Sequence, residues 1–295
     1  MSAAVTLEQT AAAVPVRSSR TFRSRFARNR LALLGGVLAL ALIAIALFAP
    51  MIARHDPTAI DAANRLLPPS AEYPFGTDDQ GRDIFSRVVY GSGLSLIAAA
   101  VVLAISVTVG SLVGLVAGYR GGLVDEALMR ITDMFLAFPA LVLAMGVAAA
   151  LGPSLFNAMV AIAIVWWPWY ARLVRGETLR LRGEAFVEAA RATGASDAQI
   201  LLRHILPNCS TPIVVQMSLD VGYAILTTAG LSFIGLGAQP PTPEWGAMVA
   251  TGKDYILDQW WFATFPGLAI LIAVMSFNIL GDGLQEAMNP GSGRR

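Results

Sequence analysis

The chain has 295 residues, 56% of them hydrophobic and 14% charged, with a net charge of +1. Its mean hydropathy is +0.62. Soluble proteins carry about 25% charged residues, so a solvated globule is excluded, and the abundance of apolar residues excludes a disordered chain. The near-neutral charge gives no reason to expect nucleic acid. A single cysteine, Cys209, allows no intrachain disulfide, and two histidines, His55 and His204, leave no material for a His-rich metal site.

Residues 1–30 form a basic leader. Phe22 and Phe26 stand four apart among its arginines, which fits either a basic amphipathic helix on the inner leaflet or a basic tail. A helix crossing a ~30 Å hydrocarbon core needs about 20 mostly apolar residues, and six stretches qualify. The first, residues 31–53, is uncharged and longer than the roughly 7–15 residues of a signal-peptide core, so it reads as an anchored helix. A segment over 54–92 follows, and then the second span, 93–119. There Ser106, Gly110, Gly114 and Gly118 recur every four residues, a stripe that lets helix backbones approach closely. It suits packing within the chain or self-dimerisation. The third span, 131–151, carries Asp133 near its edge, and the fourth, 156–171, is the shortest. Pro139 and Pro168 fall inside these two and favour kinks.

A long connector follows, with the loop proper over 176–208. It predicts a helix over 183–193, closed by Gly194, the residue best suited to a left-handed helix end. Ser196 stands three residues before Gln199, a capping-box spacing that starts a second helix, running to Pro207. The fifth span, 212–237, contains Asp220 with Gln216 one turn earlier. A carboxylate at mid-membrane costs about 2.5–3.5 kcal/mol on insertion scales. It should face a translocation path, with Gln216, or make a buried hydrogen bond at a helix contact. The sixth span is 262–281, completing a core region of 93–288 before a short tail, 289–295.

With the N-terminus inside, sixteen of the 21 basic residues fall on the inner side, so the positive-inside rule places both termini in the cytoplasm. Trp166, Trp167 and Trp169 then sit at the inner end of the fourth span, and Trp260 and Trp261 at the outer start of the sixth. These are interfacial depths for indole rings, and no ligand role is assigned to them.

Glu188-Ala189-Ala190, then Gly194, then Leu206-Pro207 resembles the EAA motif of ABC importer permeases. One position departs, since His204 stands where that pattern commonly has an aliphatic residue. Gly76-Thr77-Asp78, Gly81-Arg82-Asp83 and Ser86-Arg87 resemble a stretch of the C-type permeases of dipeptide, oligopeptide and nickel importers, as do residues 170–177, 230–237 and 240–246. The resemblance covers about residues 20 to 290. It implies an all-α, six-helix type I importer permease of the bacterial cytoplasmic membrane, forming half of a pathway for peptides or a related small solute. It further implies a second homologous permease, two ATPase subunits or domains and an extracytoplasmic binding protein as partners. In that family the loop is a coupling helix. Glu188 would lie in the docking element, Gly194 would make its turn, and Ala189 and Ala190 would keep the helix thin enough to enter the ATPase groove. The Asp-rich outer segment reads as a contact for the binding protein or a gate, or as simple turn chemistry.

The sequence shows no phosphate-binding loop: its only Gly-Lys pair, Gly252-Lys253, is followed by Asp254, where Ser or Thr is required. The chain is therefore expected not to be an enzyme and to hold no cofactor, with ATP and Mg bound by the partner ATPases. The competing class is a self-sufficient secondary transporter or channel, which would need no docking hairpin.

Overall fold

A computed structural model describes Phe26 and residues 29–288; the expected leader helix, with Phe22, lies outside the described residues. The described chain is helical: α1 (Arg30–Leu47), α2 (Ala49–Ile52), α3 (Ile84–Arg120), α4 (Gly122–Leu136), α5 (Ala140–Leu151), α6 (Leu155–Leu181), α7 (Ala185–Ala192), α8 (Asp197–Gln199), α9 (Leu206–Phe233), α10 (Trp245–Gly252) and α11 (Trp261–Met288). Among these residues four helical stretches are long and apolar enough to cross a membrane: α1, α3, Asp197–Phe233 and α11. A fifth results if the bent pair α4–α5 counts as one span. The uncharged part of α6, residues 156–171, is shorter than the ~20 residues a span requires.

Caps set several of the helix ends. The Asp83 carboxylate accepts from the backbone N–H groups of Phe85 and Ser86 and starts α3 at Ile84, well before the apolar run at 93. At ~1.5 Å per residue, the 37 residues of α3 span about 55 Å, so one end projects beyond a ~30 Å core. Ser154 caps α6 through Asn157 N–H, and α6 runs to Leu181, past the expected end at 171.

Two expected elements differ. The third span is not one helix: α4 and α5 meet at 88°. Pro139 caps α5, because proline disfavours helical geometry in the preceding residue, Phe138. The second loop helix does not stop at Pro207. Ile200–Ile205 is π-helical, with Leu206 N–H donating to Leu201 C=O, and the path continues directly into α9. Pro207 lies in the first turn of α9, where its missing N–H costs least.

The core is built on the packing of α3 against α6, the most extensive helix contact. The small-residue stripe makes that seam. A Cβ on Gly114 would lie 2.5 Å from Ala171 C=O and 2.9 Å from Val174 Cβ, and one on Gly118 would lie 2.8 Å from Thr178 Cβ. The stripe is therefore filled within the chain, and self-dimerisation through it is ruled out. Around the seam, α1, α5, α9, α10 and α11 contribute Ala39, Ala148, Ile225, Met248 and Phe277 to a buried cluster with Val102 and Ile162. A second cluster closes the end that carries the hairpin.

Candidate functional site

Helix α7 has one buried residue, Val187. It packs with Leu181, Ile200, Ile205, Cys209 and Ile213 against Leu115 and Val174 of the α3–α6 seam. With that face anchored, Glu188 and Ala189 are exposed and Ala190 is half-buried. The turn follows from Gly194, at φ +84°. A Cβ there would touch nothing within 4 Å, so the position needs glycine for its backbone rather than for space. Gly194 N–H donates to Arg191 C=O (3.0 Å) and Ala195 N–H to Ala190 C=O (3.1 Å). The capping box is present: Ser196 N–H donates to Gln199 Oε1 (2.9 Å), and Gln199 N–H to Ser196 Oγ (3.4 Å). Tyr119, near the end of α3, ties both arms. Its hydroxyl donates to Asp197 (2.8 Å) and accepts from Arg191 (3.4 Å).

The predicted loop residues thus divide. Glu188, Ala189, Ala190 and Gly194 lie on the accessible arm and turn. Leu206 and Pro207 belong to the first turn of α9, where Leu206 packs on the inner cluster and Pro207 is exposed.

The second predicted pair, Asp220 and Gln216, lines a cavity of about 680 Å³ between α6 and α9, with Ala140 of α5 also in its wall. Tyr170 Oη donates to Asp220 Oδ2 at 2.6 Å, and Gln216 Nε2 donates to Oδ1 at 3.0 Å. Trp166, Trp169 and Tyr223 form its aromatic wall. Trp166 is buried and stacks on Tyr223, with ring centroids 4.9 Å apart and planes at 13°. Two of the tryptophans read as interfacial, Trp166 and Trp169, therefore also line this cavity. The sequence reading takes Trp166 only as an interfacial residue and assigns Tyr170 and Tyr223 to no site, although the spacing carried a signal. Trp166, Trp169, Tyr170 and Leu173 follow i, i+3, i+4, i+7, and Gln216, Asp220 and Tyr223 share a face of α9. Arg172 reaches the same cavity but is paired with Asp133 at 2.6 Å. Arg175 holds Asp125 through two bonds of 2.6 and 2.7 Å, so α4 is fastened to α6 by two ion pairs.

At the other end of the bundle, Asp78, Arg82, Asp83 and Arg87 are buried. Asp78 accepts from Arg82 Nε (2.6 Å) and from the N–H groups of Gln80 and Arg82 (2.9 Å each). Arg87 Nη1 donates to Pro57 C=O (2.7 Å) and Pro241 C=O (3.2 Å). These side chains fasten the segment to α3 and to the Pro240–Pro243 stretch. Glu244 is also buried and accepts from Ala247 N–H as the cap of α10. Burial pushes its carboxyl above the ordinary value, against the lowering effect of backbone N–H groups at Gly246 and Ala247.

Residues 110–294 match the family described as binding-protein-dependent transport system inner membrane component. Residues 19–69 match the N-terminal transmembrane domain of oligopeptide transport permease C. A probable D,D-dipeptide transport system permease protein of Escherichia coli strain K12 is 49% identical over 97% of both chains. A dipeptide transport system permease protein of Alkalihalophilus pseudofirmus is 46% identical over 89% of this chain and 86% of its own. A glutathione transport system permease protein of Escherichia coli O6:K15:H31 is also 46% identical, over 91% and 89%. Among solved structures, an inward-facing conformation of the MetNI methionine ABC transporter aligns with a TM-score of 0.54 at 20% identity. That alignment covers 69% of this chain and 96% of the other, a likeness of fold.

Proposed function

This chain belongs to the family of binding-protein-dependent transport system inner membrane components, and from that membership we infer that it is the membrane-spanning permease subunit of an ABC importer. It is a multi-pass protein of the bacterial inner membrane. The observation that carries the reading is that the family match over residues 110–294 contains both the exposed, capped hairpin and the cavity. The relatives bear the names of dipeptide, probable D,D-dipeptide and glutathione transport system permeases, so the proposed cargo is a di- or oligopeptide or a related small solute. The same membership supports work alongside ATPase subunits and a binding protein. ATP and Mg belong to those ATPases, and this chain carries no cofactor.

The finer assembly is a second homologous permease and two ATPase subunits or domains. The proposed topology is six spans with both termini cytoplasmic. It takes α6 as the span that composition alone leaves short, and supports it by the burial of α6 against α3. The division is a basic segment over 1–30, a first span over 31–53, an outer segment over 54–92, a permease core over 93–288 with its coupling loop at 176–208, and a tail over 289–295.

In mechanism, Glu188, Ala189, Ala190 and the Gly194 turn dock on an ATPase, while Leu206 and Pro207 join the hairpin to α9. Because Val187, Ile200 and Ile205 bind the hairpin to the α3–α6 seam, displacement of the docked arm is transmitted into the bundle. Gln216 and Asp220 line the translocation path.

The test is mild-detergent purification of the tagged chain from its native membrane, with mass spectrometry of what accompanies it. A second permease and an ATPase are expected. A chain that arrives alone, with uptake persisting without ATP, would overturn the reading in favour of a secondary transporter.

A further inference from the structure

Asp220 is a carboxylate in the middle of α9. Its two hydrogen-bond donors, the Tyr170 hydroxyl and the Gln216 amide, are both neutral. Among the described residues no basic side chain pairs with it. Arg172, the one cation on the same cavity wall, is committed to Asp133. Charges drawn out of water are ordinarily paired or bound to a cation, whereas this part-buried carboxylate is oriented by neutral donors and lacks a countercharge. Each of its oxygens accepts one bond and keeps a free lone pair. The space beside it, about 680 Å³, falls within the ~300–1,000 Å³ typical of small-molecule sites. The wall is aromatic, with the Trp169 and Tyr223 side chains 60% and 51% exposed. Such faces attract a cation within ~6 Å of the ring centre.

We propose that this cavity is a transient binding site for the protonated amino group of the cargo. Asp220 supplies the charge, Tyr170 and Gln216 hold the carboxylate in register, and Trp169 and Tyr223 flank the bound ammonium. The proposal rests on the reading of Gln216 and Asp220 as lining the translocation path. It goes further by making the permease itself select for a free amino terminus. A zwitterionic peptide carries that ammonium whatever its side chains, and needs a countercharge wherever it leaves water.

The experiment uses the assembled importer in lipid vesicles and a dipeptide probe, alanyl-p-benzoylphenylalanine, which carries a free amino group and a photoreactive ring. The probe is photolysed during turnover, and mass spectrometry maps the label on this chain. Labelling of Trp166, Trp169 or Tyr223 is expected, reduced at least tenfold by excess alanyl-phenylalanine but not by N-acetyl-alanyl-phenylalanine. Asp220→Asn should abolish that discrimination, and Asp220→Glu should restore it. Equal competition by the two dipeptides overturns the amino-group site while leaving the path in place. Label absent from the cavity during active uptake overturns the path reading itself. Because a binding protein meets the dipeptides before they reach the cavity, the comparison of Asp220→Asn with the unmodified chain decides the matter, and Asp220→Ser is the second variant where Asp220→Asn fails to assemble. An unchanged Asp220→Asn profile would mean that Asp220 carries a proton rather than a ligand, and would also overturn the proposal.

Discussion

Gly194 offers the sharpest perturbation of the hairpin. Its φ of +84° lies where an L side chain is strained by roughly 1–2 kcal/mol. No atom stands within 4 Å of an added Cβ, so Gly194→Ala incurs that backbone strain without a steric term. At 1.4 kcal/mol per tenfold, the open hairpin population should rise about 5- to 30-fold. Asn visits the left-handed region more readily, so Gly194→Asn should open it less. Gly194→Pro fixes φ near −65° and deletes the N–H bonded to Arg191 C=O, so the turn cannot form. The damage stays local, because α7 is anchored mainly by Val187 and the spans do not depend on it. On inside-out vesicles, trypsin cleavage after the exposed Arg191 reads the open population when opening is fast relative to cleavage. The rate should rise in the order glycine, asparagine, alanine, proline, with uptake falling in the same order to zero for proline. Unchanged cleavage for alanine, or normal uptake by the proline variant at normal membrane level, would refute the reasoning.

Further outcomes are expected. Glu188→Lys reverses an exposed charge on α7 and should abolish uptake while the chain still inserts. Normal uptake at normal expression would remove Glu188 from the docking face. Gly114→Ala overpacks the α3–α6 seam at roughly 1–3 kcal/mol, offset by about 1 kcal/mol of helix propensity. Gly176→Ala, with open space at its Cβ, should gain up to ~1 kcal/mol. Thermal midpoints of the chain in detergent should move in opposite directions, and a shared direction would argue against the seam. Glu244, with its carboxyl raised by burial, binds more protons folded than unfolded above its ordinary value. Stability should therefore fall as pH rises through the raised value. Glu244→Gln should flatten that slope, and an unaltered slope would assign it elsewhere.

The sequence made the apolar spans, the capping box and the Gly194 turn legible because each depends on local chemistry: hydrophobic run length, a hydroxyl three residues from an amide, and glycine at a helix end. The breaks depended on context. Pro139 and Pro207 look alike as helix interrupters, yet only the first breaks its helix, because the π-helical turn before Pro207 lets the path continue into α9. The part Trp166 plays in the cavity was hidden for a related reason. Trp166 suits a membrane interface by composition, and its burial against Tyr223 depends on how α6 meets α9. The Asp78–Arg82–Arg87 network was equally hidden, since its partners at Pro57 and Pro241 lie far apart in the chain.

The two functional ends are joined by one element, because the helical path from Asp197 to Phe233 carries the hairpin's second arm at one end and Asp220 at its middle. The seam between α3 and α6 admits no added Cβ at Gly114 or Gly118, so these helices cannot slide without losing close backbone contact. The face between α6 and α9 instead holds an open cavity, crossed by the Tyr170–Asp220 bond and the Trp166–Tyr223 stack. The hydrogen bond contributes about 0.5–1.5 kcal/mol net and the ring pair about as much beyond its burial, less than a helix seam packed along its length. Alternating access should therefore part α6 from α9 and leave α3 on α6. Spin labels at Ile164 of α6 and Leu226 of α9, both partly exposed, should change separation between the nucleotide-free and ATP-bound importer. Labels at Leu112 of α3 and Ile164 should not. The opposite pattern would make the glycine seam the moving surface and the cavity the rigid one.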